Sequence, residues 1–147
     1  MKKNKQYKAR DLAYKIMFST LAGNEDVNDA LTAILDQLDG SEKSDLSPMV
    51  KEKVHTWKNN REIIDEIVKK LLKKSKFEDL ANVALTSLRL GITEVGFIEE
   101  IPSRVAINEA VELTKTYGDP HLSRFVNGVL DAYYKSLKTE GVVDGEK

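Results

Sequence analysis

The stretch RFVNGVLDAYY (residues 124–134) carries two conflicting structural signals. Asn127-Gly128 is a dipeptide typical of tight turns, yet the apolar residues on both sides of it keep the spacing of one helical face. A glycine inside a helix is about 1 kcal/mol less favourable than an alanine. We expect the helix to prevail. The glycine then has two explanations: another helix packs too closely for a Cβ atom, or a ligand or partner backbone needs the space.

Helical spacing also dominates the rest of the chain. The sequence has 147 residues, of which 41% are hydrophobic, with only 3 prolines and 8 glycines. This length and composition predict one all-α domain over residues 1–137. Residues 138–147 have no apolar stripe, so we expect a disordered carboxy-terminal tail there.

Several classes of protein and site are disfavoured by the composition. The chain has no cysteine and only 2 histidines, and it contains no apolar run long enough to span a bilayer. No nucleophile, base and orienting group occur at a meaningful spacing. We therefore expect a cytoplasmic protein without catalytic residues, cofactor, metal site or membrane segment.

The small net charge of -1 conceals a strong segregation of charge along the chain. Residues 1–15 are basic, residues 24–45 are acidic, and residues 51–76 carry nine Lys or Arg against four acids. Patches of this kind can attract a polyanion locally, since the relevant distance is the Debye length of about 10 Å. The alternative is that each run is a solvated helix face.

Helix boundaries follow from the apolar spacing and the capping residues. Ser47-Pro48 is typical of a helix start, and so is Asp119-Pro120, whereas Asn59-Asn60 indicates either a bend or a junction between two helices. The stretch from Leu80 to Phe97 is apolar on more than one side and predicts a central buried helix. The expected helices are 7–22, 25–38, 48–72 as one bent helix or two, 80–97, 103–117 and 120–137, with a loop over 39–48.

Three stretches together resemble the NusB family of transcription antitermination factors. They are KARDLAYKIMFSTL (8–21), SLRLGITEV (87–95) and IPSRVAINEAVELTKTYGDPHLSRFVNGVLD (101–131). The resemblance implies an all-helical fold of about seven helices in two packed sub-bundles, without enzymatic activity. It also implies binding to the boxA element of nascent ribosomal RNA leaders. The binding would occur together with a small-subunit ribosomal protein that acts as NusE, within the RNA polymerase antitermination complex.

The resemblance assigns RNA contacts to both ends of the chain. The basic amino-terminal segment matches the family motif at Lys8 and Arg10, and the FVNG segment contributes from the last helix. The candidate RNA-binding residues are Lys2, Lys3, Lys5, Tyr7, Lys8, Arg10, Lys15, Arg89, Arg124, Phe125 and Asn127. We expect the amino-terminal segment, and not the equally basic 69–76 region, to carry the RNA affinity. Because lysine lacks the bidentate fork of arginine, this lysine-rich segment predicts weaker RNA binding than in arginine-rich relatives.

Four of these residues also have structural explanations. Tyr7 could be a hydrophobic staple instead of a platform for a base. Arg89 could form an ion pair with Glu94 or Glu109. Phe125 could be core, and Asn127 could satisfy backbone groups.

The resemblance also bears on Gly128 and on the protein partner. We expect Gly128 to pack against the first helix, whose Ala9 and Ala13 are small, which would join both ends of the chain into one RNA surface. Phe18 matches an aromatic position that the family uses towards its ribosomal partner. Asp119 and His121 lie where the chain departs from the family pattern, and are the other candidate partner contacts.

Two other kinds of protein were compared with this prediction. NusB-like domains precede some ribosomal RNA cytosine methyltransferases, but 147 residues leave no room for a cofactor-binding domain. A helical protein-interaction module or homodimer without a specific RNA role is the remaining alternative.

Overall fold

A computed structural model describes residues 2–23, 25–73 and 75–141, with side chains from residue 5 onwards. Within these ranges the chain forms seven α-helices, one short 3-10 helix and no β-strand, which confirms the all-α prediction. The 3-10 helix spans Phe77–Asp79. The α-helices are α1 (Lys2–Ala22), α2 (Val27–Asp36), α3 (Gly40–Asn59), α4 (Arg61–Leu71), α5 (Asn82–Phe97), α6 (Ser103–Tyr117) and α7 (Pro120–Thr139).

The chain divides into two compact helical units, Met1–Asn59 and Asn60–Lys147, which we call the first and second units. Asn60 separates α3 from α4, so of the two alternatives for this region the structure has two helices. Helix α7 continues to Thr139, two residues beyond the predicted end at Leu137. Residues 142–147 of the predicted tail lie outside the described residues.

In the first unit, α1 packs against both α2 and α3. One face of α1 supplies buried Ala9, Ala13, Ile16 and Met17, as its apolar spacing predicts. Helix α2 is capped by Asp26, whose carboxylate accepts hydrogen bonds from the backbone N–H groups of Asn28 and Asp29 at 2.9 and 3.1 Å. The core of this unit is completed by buried residues of α2 and α3: Val27, Ala30, Leu31, Leu35, Leu46, Val50, Val54 and Trp57.

The predicted loop over residues 39–48 is wrong, because α3 begins at Gly40 and contains Pro48 in its interior. Proline cannot donate the usual backbone hydrogen bond to the carbonyl four residues earlier, which here belongs to Ser44. Ser44 and Pro48 are both exposed, so water can hydrate that carbonyl. Leu46 and Val50 are buried on the opposite side. Tertiary packing of this side therefore stabilises a helix that local propensity disfavours.

In the second unit, α5 is the central helix and contacts α4, α6 and α7. Every residue from Ala84 to Val95 is buried, which confirms the predicted central buried helix. Helix α6 has the predicted bounds, Ser103–Tyr117. Helix α7 has the predicted cap, since the Asp119 carboxylate accepts a hydrogen bond from the Leu122 N–H at 2.8 Å and Pro120 occupies the first turn.

The predicted close approach at Gly128 is wrong. A Cβ atom built on Gly128 meets no heavy atom of the described residues within 4 Å. Close contacts in this unit occur at other glycines, among them two in α5. A Cβ on Gly91 would lie 2.6 Å from Leu130 Cδ1, and one on Gly96 would collide with the Tyr133 hydroxyl. Burial, with a smaller contribution from the charge of Glu140, raises the pKa of Tyr133 to about 12.

Candidate RNA-binding surfaces

The first candidate surface is the amino-terminal part of α1, where Lys5 and Lys8 lie one helical turn apart. Lys5 Nζ is 3.1 Å from Asp45 Oδ2, and Lys8 Nζ is 3.3 Å from Glu42 Oε2. The two carboxylates are also one turn apart, on α3, so the pairs form two rungs between the helices. We call these four residues the lysine–carboxylate ladder. Their charges sum to zero, so this part of α1 is charge-compensated.

An open cleft of about 410 Å³ runs along the ladder. Tyr7 lines it and is 53% exposed, so its ring is accessible for stacking. The hydrophobic-staple alternative for Tyr7 is wrong, because α1 begins at Lys2 and Tyr7 therefore lies within the helix. The cleft is lined by Lys5, Tyr7, Lys8, Ser41, Glu42, Asp45 and Leu46.

The other basic residues predicted in α1 differ in their accessibility. Lys15 is exposed and pairs with Asp11 at 3.2 Å along the same helix. Arg10 is only 3% exposed and makes contacts within the protein, so its guanidinium cannot reach a phosphate in this conformation. We therefore do not retain Arg10 as an RNA contact. The side chains of Lys2 and Lys3 lie outside the described residues.

Arg89 is directed at a carboxylate of α4. Its Nε donates a hydrogen bond to Asp65 Oδ1 and its Nη2 donates one to Asp65 Oδ2, both at 2.9 Å. Arg89 also lies over the ring of Phe77, with Cζ 6.0 Å from the ring centroid. The ion-pair alternative therefore accounts for Arg89, with Asp65 as a partner that was not named from the sequence. A bidentate pair of this kind holds α4 against α5 and leaves little of the guanidinium for RNA.

The second candidate surface is a groove in the second unit, between the end of α4 and the face of α7 that carries the FVNG segment. It has a volume of about 480 Å³ and mainly apolar walls. We call it the Phe125 groove. Its lining residues are Leu71, Leu72, Lys73, Ser75, Arg124, Phe125, Gly128, Val129 and Ala132.

Phe125 is half-buried in this groove, so the structure places it at a surface and not in the core. Gly128 lines the same groove, and its missing side chain leaves that space open. Of the two explanations offered for this glycine, the one that reserves space for a ligand or partner fits the structure. Asn127 is exposed and is not among the lining residues.

Two cations belong to the Phe125 groove, Lys73 at the end of α4 and Arg124 on α7. Both are exposed, and within the described part of the chain neither forms an ion pair. Unpaired cations beside apolar walls can bind a phosphate next to an unstacked base. Lys73 belongs to the 69–76 region, which we expected to contribute little, and the structure brings it together with Arg124 and Phe125.

The predicted partner-binding residues lie in both units. Phe18 on α1 is half-buried, and its ring stacks on that of Tyr14 with the centroids 6.5 Å apart. The backbone cap made by Asp119 gives this residue a structural role, and His121 in the following turn is exposed.

Two further observations concern sites of other kinds. Among the described residues, no group of three or more His, Asp or Glu side chains is arranged to hold a metal ion. In the same part of the chain, no helix combines the length and the apolar character needed to cross a membrane.

Comparison with known proteins identifies the family. A family model described as the NusB family matches residues 7–135. This chain belongs to the NusB family. The transcription antitermination protein NusB of Bacillus subtilis (strain 168) is 36% identical over 126 residues, which cover 86% of this chain and 92% of that protein. The protein of the same name from Clostridium botulinum (strain Kyoto / Type A2) is 37% identical over 135 residues, covering 84% of this chain and 94% of the relative.

A solved structure of a NusB family member shows the same fold. The crystal structure of the antitermination factors NusB and NusE in complex with double-stranded RNA contains a chain that superposes on this one with a TM-score of 0.81. That chain is 27% identical, and the match covers 90% of this chain and 98% of the other.

Several residues that take part in the candidate surfaces and their ion pairs were missed by sequence reasoning. Glu42 and Asp45 were included only in an acidic run, and Asp65 was not named as the partner of Arg89. Lys73 was set aside because it lies outside the family motif. Lys5 and Lys8 are three residues apart, and so are Glu42 and Asp45. This matched spacing was the available signal, but it could be used only once residues 40–47 were known to be helical.

Proposed function

We propose that this chain is a transcription antitermination protein that binds boxA-type single-stranded RNA of nascent ribosomal RNA leaders. In this proposal it binds together with the small-subunit ribosomal protein that acts as NusE, and the complex joins RNA polymerase to suppress termination. Membership of the NusB family and the names of the relatives support this function. The protein would act in the cytoplasm by binding, without catalysis.

The observation that carries the proposal is the Phe125 groove. An unpaired base can enter a groove with apolar walls and a half-exposed phenylalanine, while its flanking phosphates meet Lys73 and Arg124. A base within a duplex is stacked and paired, so it cannot enter such a groove without being extruded. The groove therefore favours single-stranded RNA as the ligand.

The amino-terminal helix supplies a second set of proposed contacts. Lys5, Lys8 and Lys15 are exposed enough to meet phosphates, and Tyr7 presents its ring beside them. Because each lysine is paired with a carboxylate, we expect these contacts to add less affinity than unpaired cations would.

The proposal is tested by titrating the protein with a boxA-like single strand, its duplex and a scrambled strand, with and without the ribosomal partner. We expect the boxA-like strand to bind most tightly and the partner to increase its affinity. Binding through about five phosphates should also weaken steeply between about 50 and 200 mM salt. Equal binding of all three RNAs would contradict the proposed specificity.

The alternative is a helical interaction module or homodimer without a specific RNA role. This alternative predicts no RNA binding above background. It also predicts that salt hardly weakens the association between protein chains, since an apolar interface is insensitive to screening. Sedimentation of the free protein at two salt concentrations, run beside the titration, separates the two functions.

A further inference from the structure

The lysine–carboxylate ladder occupies the cations that would otherwise meet RNA. Lys5 and Lys8 belong to the basic segment, yet Asp45 and Glu42 lie 3.1 and 3.3 Å from their ammonium groups. A carboxylate at this distance takes the place that a phosphate oxygen would take, since both are anionic oxygen acceptors. In the free protein, these two lysines are therefore bound to an internal anion.

The geometry of the ladder allows this anion to be exchanged. All four side chains are between 43% and 60% exposed, so an incoming strand can reach both rungs. The adjoining cleft of about 410 Å³ gives a phosphate room to approach without separating α1 from α3. Exposed ion pairs of this kind are weak, which makes exchange feasible.

The carboxylates also change what the surface selects. A strand that offers only phosphates must displace Glu42 and Asp45, or approach the lysines against their repulsion, and so gains little affinity. A strand that places an unpaired base on Tyr7, which lines the same cleft, draws part of its affinity from that contact and depends less on the two lysines. The acids therefore penalise indiscriminate binding more than binding that includes a base.

We propose that Glu42 and Asp45 are specificity-determining residues, which act as an internal competitor for RNA at Lys5 and Lys8. This inference rests on the proposed RNA-binding function and adds to it a mechanism that opposes non-specific polyanions. It concerns the acidic start of α3, a segment for which neither the family resemblance nor the relatives' names suggests a role.

The test is a comparison of two double variants with the same change in net charge. Glu42→Gln with Asp45→Asn removes both acids of the ladder. Asp29→Asn with Glu52→Gln removes two exposed acids of the same unit that do not line the cleft. Affinity is measured for a boxA-like strand and for a duplex RNA of equal length, whose bases are paired and unable to stack on Tyr7, at about 100 mM salt.

We expect the ladder variant to bind the duplex RNA about five- to tenfold more tightly than the parent, and the control variant less than twofold more tightly. The preference for the boxA-like strand should fall in the ladder variant. Equal gains in the two variants would show a general charge effect and overturn the inference. Weaker binding by the ladder variant would overturn it too, since the acids would then hold the lysines in a productive position.

A double-mutant cycle tests whether the acids act through the lysines. Glu42→Gln alone should raise the affinity for the duplex RNA about two- to threefold, and this gain should disappear in a Lys8→Gln background. A gain that persists without Lys8 would contradict the ladder mechanism. The single variants also provide the test if the double variant folds poorly, which a thermal melt will show. If the parent itself binds neither RNA, it is the proposed function that fails.

Discussion

The two units of this protein present positive charge in different ways. In the first unit, three accessible lysines of α1, Lys5, Lys8 and Lys15, each lie within 3.3 Å of a carboxylate. In the second unit, Lys73 and Arg124 line a mainly apolar groove, and the described residues include no ion pair for either. The sequence predicts that the amino-terminal segment is the stronger polyanion-binding site, whereas the surroundings of these cations lead us to expect a larger contribution from the second unit.

This difference shows why the number of basic residues in a segment is a poor measure of the electrostatic potential at its surface. An exposed ion pair behaves as a dipole, whose field falls off faster than that of a single charge, and salt screens it further. An unpaired cation beside apolar walls keeps its field and faces less competition from water. The environment of each lysine therefore matters more than the number of lysines.

The first prediction compares the two units directly. Reversing both groove cations, with Lys73→Glu and Arg124→Glu, should lower the affinity for the boxA-like strand roughly a hundredfold, at about a tenfold loss per contact. Neutralising the ladder lysines, with Lys5→Gln and Lys8→Gln, should lower it only about threefold, because their charge is already compensated. Fluorescence anisotropy at constant salt measures both effects.

The control for this comparison is the pair Lys51→Glu and Lys58→Glu, which reverses two exposed lysines of α3 outside both surfaces. A larger loss for the ladder variant than for the groove variant would restore the amino-terminal segment as the main RNA site and reverse our comparison.

The second prediction concerns Phe18, which gives the first unit an accessible aromatic ring. If Phe18 anchors the ribosomal partner, Phe18→Ala should weaken partner binding about thirtyfold, or about 2 kcal/mol. The affinity of the free protein for RNA should stay near that of the parent. Because the ring is only half-buried, we expect a modest loss of stability, and a partner-binding isotherm beside a thermal melt will measure the two effects.

A loss of several kcal/mol in the melt, of the size found for core aromatic residues, would show that Phe18 is structural. A matched control is Tyr7→Ala, which removes another accessible aromatic side chain of α1. It should leave partner binding intact and weaken RNA binding.

The third prediction compares two helical glycines of the second unit. Gly91→Ala should destabilise the fold by about 1 to 3 kcal/mol, because its Cβ would overlap the buried side chain of Leu130. Gly128→Ala should instead stabilise it by up to about 1 kcal/mol, since the position is open and alanine favours the helix. Urea unfolding of the two variants measures the difference.

Gly128→Leu separates the stability of the fold from the use of the groove. Leucine should keep most of the stability gained by alanine, but its side chain would fill part of the Phe125 groove and lower RNA affinity roughly tenfold. Unchanged RNA binding by Gly128→Leu would show that the groove does not hold a base.

Elements with strong local signals were predicted well from the sequence. Helix α6 has the predicted bounds between Pro102 and Gly118, and α7 has the predicted Asp119 cap, because residues that break or cap a helix act on the backbone within a few positions of themselves. The start of α3 was missed because a Ser-Pro pair is also compatible with a helix interior when the rest of the helix packs well. Of the predicted site residues, Tyr7, Lys8, Arg124 and Phe125 are accessible and Arg10 and Arg89 are buried, while the RNA contacts themselves stay predictions. A single surface that joins both ends of the chain stays a prediction.

The sequence by itself determined the all-α class, the buried central helix and membership of the NusB family. These depend on the spacing of apolar residues and on motifs that are read along the chain. Only the tertiary structure decided which of the described cations are paired, that the space beside Gly128 is open and that Asp65 holds Arg89. Each of these depends on contacts between residues far apart in the sequence, as between Lys5 and Asp45 or between Asp65 and Arg89. Side chains from separate helices meet only when the helices pack, so no local pattern specifies those partners.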